Sequence, residues 1–196
     1  MGGTQGLLDV LDTRSFSSMW YWLLLTLLWT WVGRGALGIP SELVATVRRR
    51  ARGDGTPAAS GGPAPESLLL LDWLSLVLPR WRIAPRDGMI LLAAATFLLT
   101  LLAGLGFGYG RQTGQALFLL LAPLALLLGL RLRLAARLAE VLTTAETGRA
   151  TPDAAASQAA RLIGAHMRAT MGLSILAVGS AALWGTYWLA RHPNGL

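Results

Sequence analysis

Four apolar runs without a charged residue punctuate this chain, at 15–33, 115–130 and 169–190 and, between its flanking charges, at 88–110. A helix rises ~1.5 Å per residue, so about twenty residues match the ~30 Å hydrocarbon layer of a bilayer. Each run therefore predicts a crossing. The first lies between Arg14 and Arg34, with Trp20, Tyr21 and Trp22 crowding one end and Trp29 and Trp31 the other. Amphipathic rings of this kind settle at headgroup level. The second run ends at Arg111, and a turn at 111–114 leads straight into the third, which predicts a tight transmembrane hairpin. Pro123 inside the third run removes one backbone hydrogen bond and predicts a kink. Trp184, Tyr187 and Trp188 mark the far end of the fourth.

The segments between the runs have a different pattern. Residues 2–14 read as a short amphipathic stretch with no basic start, so no cleaved secretory signal is expected, and Gly6 stands where a myristoylation signal needs Ser or Thr. Gly38-Ile39-Pro40 breaks the chain, and Ser41-Glu42 then opens an interfacial helix over 41–52 that closes on Arg48, Arg49, Arg50 and Arg52. Residues 53–65, rich in Gly, Pro and Ala, have too little apolar surface to offset the entropy of ordering and predict a flexible linker. A second interfacial helix is expected over 66–79, apolar but short and interrupted by Asp72. Beyond the third run, Leu134, Leu138, Val141 and Leu142 recur at helical spacing, which predicts an amphipathic extension. Thr151-Pro152-Asp153 has the order of a helix start, with a hydroxyl cap, a proline in the first turn and an acid at the positive dipole end.

Together these features predict an all-α polytopic membrane protein with four transmembrane helices plus cytoplasmic amphipathic helices, one membrane domain over 1–196. The composition agrees: 54% of residues are hydrophobic and 14% charged, which excludes an ordinary soluble globule. The net charge of +7 comes entirely from arginine, since lysine is absent. Because these arginines flank the apolar runs instead of forming a basic domain, they indicate orientation and lipid contact and no nucleic-acid partner. The connection between the first two runs holds eight arginines and that between the last two holds six, against Arg14, Arg111 and Arg191 on the other side. The positive-inside rule then places both long connections in the cytoplasm and both termini in the periplasm of a bacterial inner membrane.

Little in the chain points to chemistry. Cysteine is absent, which excludes disulfides and thiolate-held iron–sulfur or zinc sites in this chain. No carboxylate pair, Ser-His-Asp arrangement or His-Glu cluster shares a membrane face, and no crossing carries a central ionisable residue of the kind that marks an ion pathway. No enzyme activity, metal, cofactor or small-molecule substrate is expected. His166 and His192 are isolated, and a haem or pigment on His166 is disfavoured by its place near the interface; a polar surface contact is the plainer reading. The candidate contacts are physical. Gly104, Gly106, Gly108 and Gly110 form small-residue spacings that permit close helix approach, either within the chain or with a partner subunit. Trp20, Trp22, Trp29 and Trp31 form a candidate partner surface, with interfacial anchoring as the simpler role. Arg48, Arg49, Arg50, Arg52, Arg131, Arg133 and Arg137 are the expected contacts to anionic lipid.

The stretch LDTRSFSSMWYWLLLTLLWTWVGRGALGIPSELV resembles a family of small alphaproteobacterial membrane proteins described as a component of the SufBCD complex. The likeness rests on the entry at Asp12 to Ser17, the Trp-Tyr-Trp start and Leu37 to Pro40, and it is clearest over 12–45. It implies an accessory to iron–sulfur cluster assembly and carries no catalytic residues. From the residues themselves, the expected role is a non-catalytic accessory or assembly subunit that packs against a larger inner-membrane complex, respiratory or photosynthetic. The alternatives are a membrane recruitment platform for a soluble iron–sulfur assembly machine and a passive channel or transporter subunit. Its expected partners are membrane lipids and other membrane-protein subunits.

Overall fold

Proline, glycine and capping residues set the helix boundaries in the computed structural model, which describes residues 19–32, 37–53 and 62–191. Helix α1 spans Met19–Val32, α2 Ser41–Ala51 and α3 Pro65–Val77, the last followed by a 3-10 turn at Leu78–Trp81. Helix α4 spans Pro85–Ala103 and continues as a π turn at Gly104–Gly108; α5 spans Gln112–Glu146 and α6 Pro152–Arg191. The predicted start of α6 is built as expected, since the Thr151 hydroxyl accepts from the Ala154 backbone N–H at 3.3 Å. Helix α5 ends in a Schellman arrangement, with Gly148 N–H donating to Ala145 O and Arg149 N–H to Thr144 O. Pro123 lies within α5, which runs through it.

Among the described residues three helices, over 85–108, 112–146 and 152–188, are long and apolar enough to cross a membrane. Helix α1 is equally apolar but only fourteen residues long as described, about 21 Å. The remainder of the first predicted crossing, 15–18 and 33, lies outside the described residues, as do the amphipathic N-terminal stretch, most of the linker (54–61) and His192. Helix α5, with 35 residues, is about 52 Å long, so it has length for both a crossing and the basic amphipathic extension predicted beyond it. The apolar surface of α4 fits a lipid environment: Met89, Ile90, Leu92, Phe97 and Leu101 are all exposed. Polar side chains in the apolar helices satisfy themselves locally, as where Thr26 donates to Trp22 O and Thr30 to Thr26 O.

By packing, the chain divides into two compact units. The first takes in α1, α4, the start of α5 through Leu126 and the end of α6 from Gly172. Its α1 buries Leu25, Trp29 and Val32, a stripe at helical spacing. The end of α4 and the start of α5 meet backbone to backbone. A Cβ on Gly106 would stand 2.6 Å from Gln115 N, and one on Gly114 would stand 2.8 Å from Gly106 N. Only glycine on both sides allows the two backbones to meet.

The second unit holds α2, α3, the 3-10 turn, α5 from Leu127 and α6 through Met171. Its core joins Val44 and Val47 of α2, Leu70, Leu71 and Leu74 of α3, Leu134 and Leu138 of α5, and Ala155, Ala156, Ala159, Ala160 and Ile163 of α6. The alanine face of α6 lets neighbouring helices approach closely while their larger side chains fill the space. The short apolar segment expected to lie at the membrane interface thus has a packing role as well, with Ser67, Leu70, Leu71, Leu74 and Leu78 buried. Leu37, at φ 58°, sits in the left-handed region, which costs a leucine about 1–2 kcal/mol. Its side chain is buried in this core, and that burial holds the turn.

The crowding at Gly114 predicts that Gly114→Ala lowers stability by about 1–3 kcal/mol, because a backbone has to move. At Gly104 a Cβ meets nothing within 4 Å, so Gly104→Ala should be neutral or slightly stabilising. Thermal unfolding of the two variants in the same detergent micelle compares them directly; equal shifts would contradict the Gly106–Gly114 contact.

Candidate functional site

In the first unit, the Gly106 carbonyl lies in the π turn that ends the helix, among the last carbonyls that a helix leaves without a partner of its own, and a buried side chain takes it up. The Gln115 amide, 4% exposed, donates through Nε2 to Gly106 O at 2.8 Å, while its Oε1 accepts from Trp184 Nε1 at 2.9 Å. Indole is a donor only, so this contact fixes which way the amide faces. One side chain thereby links α4, α5 and α6. Aromatic rings surround the bridge: Phe107 meets Phe118 edge-on at 5.7 Å and Trp184 at 5.3 Å, and Trp184 lies 5.5 Å from Tyr187. The Arg191 guanidinium stands 4.8 Å over the Tyr187 ring. Sequence reading overlooked Gln115 because a single amide after a turn resembles any other loop residue.

The predicted glycine row divides in two. Gly106 is consumed within the chain against α5, whereas Gly104, Gly108 and Gly110 have open space where a Cβ would project. The tryptophans divide as well: Trp20 and Trp31 are exposed, Trp22 is half-buried and Trp29 is buried at 7% exposure. Trp29 therefore contributes to packing, while the two exposed rings remain available to headgroups or a partner.

The arginines of the second unit separate by environment. Arg50 pairs with Glu66 at 3.2 Å and ties α2 to α3; with both side chains partly solvated, such a pair contributes ~0–1 kcal/mol. Arg49, Arg133 and Arg137 are exposed, and Arg131 is half-buried. Arg48 and Arg52 line a cleft of about 550 Å³ together with Arg161 and Arg168 of α6, which the sequence reading did not include. The Arg48 guanidinium lies against α6 at Gly164, where a Cβ would come within 2.7 Å of its Nη1. A hint was present in the sequence, since Arg161, Gly164 and Arg168 recur at helical spacing.

His166 departs from the surface position expected of it. It is 8% exposed, with a ring nitrogen 3.4 Å from Thr170 Oγ1. The reason is periodicity: Ala159, Ile163 and His166 follow at i, i+4 and i+7, so the imidazole continues the core stripe of α6. Burial lowers its pKa below the ordinary 6.5, and the charge of Arg131 lowers it further. Among the described residues no group of three or more His, Cys, Asp or Glu side chains is placed to hold a metal ion. No family model, curated protein or solved structure matches the chain.

Replacing Gln115 with Leu strands the Gly106 carbonyl and the Trp184 indole. With each buried membrane hydrogen bond worth about 0.6–1.7 kcal/mol, Gln115→Leu should lower stability by about 1–3 kcal/mol, measured by thermal unfolding in detergent. His166 sets a pH dependence. Its folded pKa is depressed, so between that value and 6.5 the unfolded chain binds more protons than the folded one. Its stabilising effect is complete above pH 6.5 and is lost as pH falls toward the folded pKa; His166→Gln should flatten the fall in melting temperature over that interval.

Proposed function

We propose that this chain is a non-catalytic integral membrane subunit that packs against a larger complex of a bacterial inner membrane, respiratory or photosynthetic, as an accessory or assembly factor. In this reading the chain crosses four times, its two arginine-rich connections face the cytoplasm, and its termini face the periplasm. The observation that supports it most directly is α4. Of its nineteen residues only Leu102 is buried by its own chain. The following turn presents Gly104 and Gly108, four residues apart, with nothing within 4 Å of either Cβ direction. Helices in lipid associate by van der Waals packing at such small-residue faces, because lipid tails offer no hydrophobic drive of their own. The charge distribution supports the orientation, since the arginines of the second unit all fall in the two long connections.

The test is extraction in native lipid nanodiscs followed by mass spectrometry. Co-isolation of the same membrane-protein subunits in stoichiometric amounts is expected, and Gly104→Leu with Gly108→Leu should lower their recovery about tenfold, the effect of removing about 1.4 kcal/mol of contact. A homogeneous lone monomer from those discs would overturn the proposal.

A further inference from the structure

We propose that the cleft between α2 and the first half of α6 is a binding site for a phosphate ester, supplied most directly by the headgroup of an anionic lipid. Four guanidinium groups line it, those of Arg48, Arg52, Arg161 and Arg168, with the amide-bearing Gln158 at its side and no carboxylate among the lining residues. Among the described residues none of the four arginines forms an ion pair. The neighbouring acids lie outside this cleft: Glu66 holds Arg50, and Asp153, on an adjoining cleft that Arg161 also borders, accepts through Oδ1 from the Ala64 backbone N–H at 3.1 Å. Like charges gathered without a counter-ion repel one another, and an anion with several acceptor oxygens relieves that repulsion. Guanidinium forks suit phosphate because two parallel N–H bonds match two of its oxygens.

The site is also shaped. Gly164 leaves the α6 surface bare where the Arg48 guanidinium rests, one helical turn from both Arg161 and Arg168. Gly164 is thus a positioning residue for Arg48. The depth of the site favours a lipid source. Arg168 directly precedes the apolar run 169–190 on the same helix, so the lower edge of the cleft lies where hydrocarbon gives way to headgroups. A volume of about 550 Å³ accommodates a headgroup larger than phosphate alone.

The experiment uses the full chain in detergent, titrated in native mass spectrometry with phosphatidylglycerol, phosphatidylcholine or glycerol phosphate. Retention of phosphatidylglycerol over phosphatidylcholine is expected. Arg161→Gln with Arg168→Gln should weaken that retention about tenfold or more, the scale of losing charge-assisted hydrogen bonds, while Arg80→Gln with Arg82→Gln, which removes the same charge from equally exposed positions outside the cleft, leaves it within about twofold. Gly164→Ala displaces the end of a flexible side chain without altering charge; it should weaken binding severalfold with an unchanged melting temperature. Binding of glycerol phosphate as tight as that of the lipid would support the same phosphate site and identify a soluble source, whereas lipid-only retention identifies the headgroup. Equal losses from the two double variants, or no preference for phosphatidylglycerol in the unmodified chain, would overturn the proposal.

Discussion

A polar side chain buried among apolar helices finds no water, and the contacts of one such group tie the first unit together. The Gln115 amide has both of its ends occupied, by the Gly106 carbonyl and by the Trp184 indole. The first contact takes a carbonyl of the π turn, at the place where the paired glycines bring α4 and α5 together. Remove any of these parts and the others lose their reason: a π turn alone leaves a carbonyl unpaired, and a glycine pair alone has contact without direction. The aromatic rings around the bridge exclude competing groups and keep the hydrogen bonds in a low dielectric, where they are stronger.

The second unit answers to a different constraint. Its core is built as in a soluble protein, from leucines and valines of short helices packed on an alanine face of α6. That arrangement explains two local oddities. Leu37 keeps a left-handed backbone because its side chain is buried, and His166 is drawn out of water because it lies on the same stripe as Ile163. The packing also decides how the arginines are spent. Arg50 is neutralised against Glu66, whereas Arg48 and Arg52 project toward α6 and meet Arg161 and Arg168. Charges from residues more than a hundred positions apart thereby become one electropositive surface.

A membrane accessory subunit and a phosphate-binding cleft are compatible but independent ideas. The first concerns an apolar helix with little cover from its own chain, and the second concerns a polar concavity in the other unit. An anionic headgroup seated among the arginines would anchor the second unit to the bilayer surface.

What the sequence determined by itself was periodicity and medium. Apolar runs at bilayer length, a capping triplet at Thr151-Pro152-Asp153 and arginines at the run boundaries are local signals, legible because each depends on residues within a turn or two of one another. Helix existence and most boundaries follow from them: the predicted second run at 88–110 became α4 with its π turn, and the extension after 130 became the second half of α5. Only tertiary structure decided which glycine meets a backbone and which stays open, that Trp29 is buried while Trp31 is exposed, and that Arg161 and Arg168 join Arg48 and Arg52. Such outcomes depend on which helix faces which, and neither composition nor spacing within one helix contains that information.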